Sequence, residues 1–289
     1  MASSIRLSTG ALMPLMGFGT FRLTGYDNVF RSLDVALACG YRLIDTAQLY
    51  TNEADIGRAL SELMPKYGLK RQDLFITSKL SSSNMHVDKV RSSVEQSLSD
   101  LRTDYADLFL IHYPKPSWLE AQDVKNHDAR RECWLELEKL HREGKLRAIG
   151  VSNYEIRHLN EMTEYATIQP ALNQCEFHPH FCRRDLVEEC GRRGIQFQAF
   201  TSLARNSPDL IKEPLLNQLA EKYGVPIGNI LLAWPLAQGI GVLPKSANPN
   251  RIKENYDASR LKMDEEDVGK IWELHRNANY TLCTPWQVL

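Results

Sequence analysis

The 289-residue chain has 35 Lys and Arg against 36 Asp and Glu, a net charge of -1, and is 43% hydrophobic, which excludes a disordered chain and indicates a globular one. Because no long block of one charge occurs, we expect no nucleic-acid partner. No apolar stretch approaches the roughly 20 residues of a membrane span, and MASSIRLSTG at the start lacks the apolar core of a secretory signal. With six cysteines at irregular spacing, these features predict a cytoplasmic protein with reduced thiols and no membrane partner.

The first predicted element is a β-hairpin over residues 4–15 (SIRLSTGALMPL). Eight short apolar runs follow, and most of them precede a segment whose apolar residues recur every three or four positions, as on the buried face of a helix. The eight runs are predicted as strands over 15–17, 41–45, 74–78, 105–111, 146–151, 171–174, 195–200 and 241–243.

The helices between these strands have recognisable ends. One predicted helix carries Val29, Leu33 and Leu37 on a single face and ends at Gly40, and Asn52 is placed to cap a helix beginning at Glu53. Residues 216–237 and 264–276 are predicted as additional helices.

Eight alternations of strand and helix predict an α/β fold, a (β/α)8 TIM barrel with an N-terminal hairpin and additional helices. We expect residues 1–289 to form a single barrel domain. The main alternative is a doubly wound open sheet. However, no strand is followed by the G-x-G-x-x-G turn of dinucleotide-binding folds, since GFGTFR at Gly17 lacks the third glycine.

Catalytic groups of such a barrel lie at the C-terminal ends of its strands. Each polar residue found there also has a purely structural explanation: a helix cap for Asp45, a solvated strand end for Lys79, a loop histidine for His112 and simple packing for Tyr50. Together, however, acid, amine, imidazole and phenol are the groups needed to move a proton onto a carbonyl oxygen. The polar residues at predicted strand ends are Asp45, Lys79, His112, Ser152, Asn153, Gln174, Lys245 and Ser246.

The segments that carry these residues resemble the aldo-keto reductases. GYRLIDTAQLYTNE is similar to the family signature that holds an aspartate and a tyrosine, and LFITSKL and LFLIHYP resemble the strands that end in its active-site lysine and histidine. AIGVSNY and VLPKSANPNRIKEN resemble two cofactor-binding segments of the family. The resemblance covers nearly the whole chain, in order.

The resemblance implies reversible, NADPH-dependent reduction of an aldehyde or ketone, with Tyr50 as the proton donor. A free phenol has a pKa of about 10, so we expect the Lys79 ammonium to lower the pKa of Tyr50, and Asp45 to hold Lys79 in place. His112 is expected to orient the carbonyl by a hydrogen bond.

The resemblance also implies a set of residues that bind NADP(H). Arg251 matches the position that meets the adenosine 2′-phosphate, and a planar guanidinium suits a phosphate, so NADP is favoured over NAD. The implied cofactor-binding residues are Gly19, Thr20, Asp45, Ser152, Asn153, Gln174, Phe200, Leu203, Lys245, Ser246, Arg251, Glu254 and Asn255.

Substrate contacts are expected from Phe21, Tyr50, His112 and Tyr113. The chain departs from the common family pattern here, because Phe21, Tyr113 and Ser81 replace tryptophans and Phe200 replaces a stacking tyrosine. The substrate pocket is therefore predicted to be less rich in indole rings. The polar stretch 116–130 is predicted to form a loop over the site, and residues 275–289 to supply part of the pocket.

Three alternatives remain open at this level. The Cys and His residues of CEFHPHFC (residues 175–182) match no zinc-ligand spacing, so we expect no metal and a loop-shaping role for Glu176 and His178. Lys79 could act as the Schiff-base nucleophile of a lyase. The protein could also bind cofactor without catalysis. A small-molecule carbonyl substrate and a monomer are the remaining expectations.

Overall fold

The computed structural model describes residues 3–281 and 283–289, and its centre is an eight-stranded parallel sheet. The strands pair in chain order, and a parallel bridge between Met16 and Val242 links the first and last of them, so the sheet curls into a barrel. The barrel strands are β3 (Gly17–Gly19), β4 (Leu43–Asp45), β5 (Phe75–Leu80), β6 (Leu108–Ile111), β7 (Ile149–Ser152), β8 (Leu172–Glu176), β9 (Gln196–Phe200) and β10 (Gly241–Val242).

Helices cover the outside of the barrel and bury the outward faces of its strands. In the described ranges, no helix is both long and apolar enough to cross a bilayer. The helices are α1 (Tyr26–Cys39), α2 (Glu53–Lys66), α3 (Val87–Asp100), α4 (Lys125–Arg142), α5 (Ile156–Met162), α6 (Arg184–Arg192), α7 (Pro208–Ile211), α8 (Pro214–Tyr223), α9 (Ile227–Leu236), α10 (Pro249–Asp257) and α11 (Glu265–Trp272).

The predicted (β/α)8 barrel with additional helices is confirmed, with local differences in where elements begin and end. The first barrel strand begins at Gly17, where the prediction had it end, because the chain bends at Leu15 after the hairpin strand ends at Pro14. Residues 216–237 contain two helices, since Gly224 takes a left-handed φ of 63° and ends α8 before Pro226. The last residues of the predicted loop 116–130 form the first turns of α4.

The hairpin, β1 (Ser4–Arg6) paired with β2 (Leu12–Pro14), closes one end of the barrel. Its buried Leu7 and Met13 pack in one cluster with Leu43, Phe75 and Leu108, which lie at or near the beginnings of barrel strands. The carboxyl ends of the strands are therefore left for the site, at the opposite end of the barrel.

Candidate active site

A cavity of about 570 Å³ opens at the carboxyl ends of the barrel strands. Most of the sequence-predicted site residues meet there, although they come from segments far apart in the chain. The predicted residues in its wall are Gly19, Thr20, Phe21, Asp45, Tyr50, His112, Tyr113, Ser152, Asn153, Gln174, Phe200, Leu203 and Lys245.

Lys79 lies behind this wall, fully buried at the end of β5. Its Nζ donates to Asp45 Oδ1 at 2.6 Å and to the Thr46 carbonyl at 2.8 Å, and reaches Tyr50 Oη at 3.5 Å. The other carboxylate oxygen of Asp45 accepts a hydrogen bond of 2.8 Å from Gln174 Nε2, which comes from β8. The ion pair is thus fixed on two sides, with the phenol at its outer edge.

Burial and charge set the protonation of this group. Burial by itself would lower the pKa of Lys79, but Asp45 and Tyr50 outweigh it and hold the pKa above its ordinary value, so Lys79 is an ammonium. Burial raises the pKa of Tyr50, and the opposing effect of Lys79 does not cancel it. The expectation of a lowered phenol pKa was therefore wrong: Lys79 acts in the expected direction, but burial is stronger and keeps the phenol protonated.

His112 forms the neighbouring wall of the cavity, with its ring edge-to-face with Tyr50 at a centroid separation of 5.7 Å. Burial, and secondly the Lys79 charge, lower the pKa of His112 to about 3. The imidazole is neutral at physiological pH and donates a hydrogen bond from one nitrogen only. Its buried Nδ1 has no partner among the described residues.

The next part of the cavity suits a nicotinamide amide. Asn153, held at φ 63°, donates its Nδ2 to the His112 carbonyl at 2.9 Å, and Gln174 donates its Nε2 to Asp45 and Gln198. Since these donors are engaged within the protein, the amide oxygens are the groups left to accept from a carboxamide. The buried Ser202 Oγ, also in the wall, lacks a partner within the described part of the chain.

A cationic group lies beside Gly19 in the cavity wall. Burial, then the charges of Arg22 and Arg251, lower the pKa of Lys245, so both guanidinium groups act on its ammonium. Three cations at one edge favour a multiply charged anion such as a phosphate. Gly19 lies at this edge. Its position requires glycine, because a Cβ there would lie 2.8 Å from the Leu243 carbonyl oxygen.

Four of the predicted cofactor residues lie outside the cavity wall: Ser246, Arg251, Glu254 and Asn255. They stand on the loop after β10 and on α10, whose first turn is capped by Asn248 Oδ1 accepting from the backbone N–H groups of Asn250 and Arg251. Arg251 is exposed, while Asn255, one turn later, is buried. The capped first turn of α10 therefore carries Arg251, whose charge acts on Lys245 together with that of Arg22.

Sequence reasoning missed several residues of the cavity wall. Arg205 is one of four non-glycine residues between 201 and 206 with left-handed φ values of 45–62°, a strained segment that no residue pattern announces. Arg22, by contrast, could have been predicted as a wall residue, because it directly follows Phe21, which was predicted to contact the substrate. The missed wall residues include Arg22, Leu49, Ser82, Ser83, Thr201, Ser202 and Arg205.

Among the described residues, the cavity wall around Tyr50 contains no tryptophan, in line with the predicted scarcity of indole rings. Phe21 packs on Tyr50 with ring centroids 5.1 Å apart, and Tyr113 lies in the same wall. Ser81, Ser82, Ser83 and Ser117 also line the cavity. Its wall therefore contains both aromatic rings and hydroxyl groups.

The last part of the described chain borders the cavity and is held by hydrogen bonds at two places. We call residues 276–281 and 283–289 the strap. At one end, Glu176 accepts hydrogen bonds from Tyr280 N, at 2.6 Å, and from the Thr281 hydroxyl. Between the two ends, Thr281 and Cys283 line the cavity, as expected for this stretch of the sequence.

At the other end of the strap, His158 Nε2 donates to the Val288 carbonyl at 3.0 Å and the buried Arg130 donates to the Leu289 main-chain oxygen at 2.7 Å. Arg130 also donates to the carbonyl of Pro114, two residues after His112. The strap is therefore joined to the segment that carries the imidazole.

The two histidines of residues 175–182 contact the residues that hold the strap. His178 Nε2 lies 3.0 Å from Glu176 Oε1, and His180 contacts Tyr280 and Glu213. Among the residues that the structure describes, no group of three or more Cys, His, Asp or Glu side chains is arranged to hold a metal ion.

Comparisons with known proteins agree with this geometry. The sequence model of the Aldo/keto reductase family matches residues 15–276. Aldose reductase B of Dictyostelium discoideum is 37% identical over 94% of this chain and 92% of that protein. Glyoxal reductase of Bacillus subtilis (strain 168) is 36% identical over 95% of this chain and 93% of that protein.

Solved structures are also similar. An aldo-keto reductase of Bombyx mori in complex with NADP superposes with a TM-score of 0.90 at 29% identity, covering 99% of this chain and 97% of that one. The aldo-keto reductase MGS-M4, from a deep-sea metagenome, gives a TM-score of 0.87 at 32% identity over 96% of each chain. The chain belongs to the aldo/keto reductase family of oxidoreductases, which reduce carbonyl compounds.

Proposed function

We propose that the protein reduces an aldehyde or ketone to the alcohol with NADPH, and that Tyr50 donates the proton. The observation that carries the proposal is the contact series from Asp45 to Lys79 to Tyr50, with distances of 2.6 and 3.5 Å, ending at the wall of the cavity beside His112. When bound, the reduced nicotinamide supplies hydride to the carbonyl carbon.

The side chains then have separate tasks. The raised pKa of Tyr50 keeps its proton in place until the carbonyl oxygen gains negative charge, and Lys79 stabilises the phenolate that remains after transfer. Neutral His112 donates a hydrogen bond to the same oxygen and so orients the carbonyl. In the reverse direction the phenolate takes the proton back.

The cofactor fits the rest of the cavity by its chemistry. Asn153 and Gln174 offer amide oxygens to the carboxamide, Phe200 offers a ring face to the nicotinamide, and Ser152 supports Gln174 by donating its hydroxyl to that residue's carbonyl at 2.8 Å. Arg22, Lys245 and Arg251 supply positive charge for the phosphates. Bombyx mori aldo-keto reductase, a similar structure, was solved with NADP.

The geometry argues against the lyase alternative. Lys79 is fully buried, its pKa is raised and its ammonium hydrogens are held by Asp45, Thr46 and Tyr50. A protonated amine is not a nucleophile, so a Schiff base on Lys79 is disfavoured.

Tyr50→Phe tests the proposal, with Tyr113→Phe as the matched control because both tyrosines line the cavity. Loss of the acid should lower kcat for aldehydes by about 10²–10⁴-fold, while NADPH still binds and quenches protein fluorescence. Full turnover by Tyr50→Phe would reject Tyr50 as the acid. If the wild type binds NADPH but turns over no aldehyde, ketone or quinone in a broad screen, the non-enzymatic alternative is correct.

A further inference from the structure

Tyr50 is carried by a single 3-10 turn, Gln48–Tyr50, between β4 and α2. Such a turn has few backbone hydrogen bonds of its own, and here Tyr50 N donates to the Ala47 carbonyl at 2.9 Å. The position of the phenol therefore depends on side chains that tie the turn to its neighbours.

Gln48, two residues before Tyr50, uses both ends of its amide. Its Nε2 donates to the Ser93 carbonyl at 3.0 Å and to Ser97 Oγ at 3.1 Å, both on α3. Its Oε1 accepts from Ser81 N and from Asn84 Nδ2, each at 2.9 Å. One side chain thus joins the turn to α3 and to the segment that follows β5.

Glu53, three residues after Tyr50, makes the matching attachment on the other side. This buried carboxylate accepts from Ser78 Oγ at 2.6 Å and from Ser97 Oγ at 3.1 Å. Ser97 therefore contacts both Gln48 and Glu53, and we call these three residues the Tyr50 brace.

The brace contacts the chain on both sides of Lys79: Ser78 of β5 lies before it, and Ser81, the residue that follows β5, lies after it. None of the three brace residues is in the described wall of the cavity. The Tyr50–Lys79 contact, at 3.5 Å, lies at the outer limit of a hydrogen bond. A displacement of the turn by a fraction of an ångström would therefore break it.

We propose that the Tyr50 brace sets the separation of Tyr50 Oη from Lys79 Nζ, which makes Gln48 and Ser97 positioning residues for proton transfer. The inference rests on the proposed role of Tyr50. Loosening the brace raises the barrier to the chemical step. None of the proposed cofactor-binding residues takes part in the hydrogen bonds of the brace, so we expect NADPH binding to be kept.

Two variants with matched controls on the exposed face of α3 test this. Gln48→Leu removes all four contacts, and Ser97→Ala removes the shared hydroxyl. Gln96→Leu is the control for Gln48→Leu, and Ser92→Ala is the control for Ser97→Ala. Gln96 and Ser92 are exposed on α3, and among the described residues their side chains form hydrogen bonds only within that helix. Kinetics, NADPH affinity and Tm are measured for all four.

We expect Gln48→Leu to lower kcat by about tenfold to a hundredfold and Ser97→Ala by a smaller factor, since an ångström of misplacement costs up to about 10²-fold. The dissociation constant for NADPH and the KM for the aldehyde should stay within about twofold of the controls. Gln48→Glu keeps an oxygen for Ser81 N and should recover part of the loss.

The inference fails if Gln48→Leu and Ser97→Ala lose only thermal stability and keep the kcat of their controls, because the brace is then merely structural. It also fails if Gln48→Glu is as impaired as Gln48→Leu in kcat while Ser97→Ala is unaffected. Full activity of Tyr50→Phe would instead reject the proposed function itself, so the two failures are distinguishable.

Discussion

Lys79 Nζ and Asp45 Oδ1 lie 2.6 Å apart, with the two side chains 0% and 5% exposed. Removing one partner of a buried ion pair leaves the other uncompensated. We predict that Lys79→Met lowers the free energy of unfolding by about 3–5 kcal/mol, and that Lys79→Met with Asp45→Asn together cost less than the sum of the two single changes. Urea unfolding of all four proteins measures this.

The exposed pair of Arg260 and Asp257, which are 72% and 54% exposed, is the control for that cycle. Arg260→Met should cost no more than about 1 kcal/mol. Strict additivity of the Lys79 and Asp45 changes would contradict the prediction.

Arg251→Met should reveal which cofactor the cationic group selects. If the guanidinium meets the 2′-phosphate, its loss removes a charge-assisted hydrogen bond worth about 1.5–3 kcal/mol, which is about a tenfold to hundredfold loss of NADPH affinity. NADH affinity should change little. Titrations of protein fluorescence compare the two cofactors, with Arg260→Met, just beyond α10, as the control. Equal losses for NADPH and NADH would show that Arg251 does not distinguish them.

Glu176→Gln should loosen the strap, because an amide cannot accept from both Tyr280 N and the Thr281 hydroxyl as the carboxylate does. Loss of about one hydrogen bond, near 1 kcal/mol, predicts a change of about fivefold in KM for a bulky aldehyde. NADPH affinity should be retained. The exposed Glu188→Gln, on α6, is the control, and an unchanged KM for every aldehyde size would count against a wall made by the strap.

Acid should destabilise the protein through His158. Its Nδ1 accepts from Glu155 N and its Nε2 donates to the Val288 carbonyl, an arrangement that requires a neutral ring. Burial, and secondly Arg130, lower the pKa of His158 to about 3, below the roughly 6.5 of an unfolded chain. The unfolded state therefore binds the proton first, and stability falls as the pH drops below about 6.5, by up to about 1.4 kcal/mol per pH unit.

Urea unfolding between neutral pH and the onset of acid denaturation measures this slope. His158→Gln should be less stable at neutral pH but should show a shallower acid slope than the wild type. His127→Gln, at a more exposed position, is the control. Parallel slopes for wild type and His158→Gln would mean that other groups cause the acid sensitivity.

The sequence was sufficient to locate the residues at strand ends. Asp45 and Gln174 come from β4 and β8, on opposite sides of the barrel, yet both could be identified because parallel strands present their carboxyl ends on one rim. The pKa of Tyr50 could not be predicted, since it depends on how burial compares with the Lys79 charge at a distance that only the folded chain defines.

Residues on loops were harder to predict. Thr201 and Arg205 enter the cavity wall through loop conformations, and the left-handed backbone of both has no signature in their residue types. The break between α8 and α9 was detectable, because Gly224 and Pro226 are standard helix-ending residues. A single domain and a monomer remain predictions.

The hairpin closes the barrel at the end opposite the cavity, with Leu7 and Met13 buried among the strand beginnings. Amino-acid substitutions at the two ends of the barrel should therefore affect different properties of the protein. We expect substitutions around Met13 to change the stability of the barrel, and substitutions around Tyr113 and Cys283 to change which substrates the cavity admits. Stability and selectivity should then be separable by engineering, and a label attached near Ser3 should leave the mouth of the cavity unobstructed.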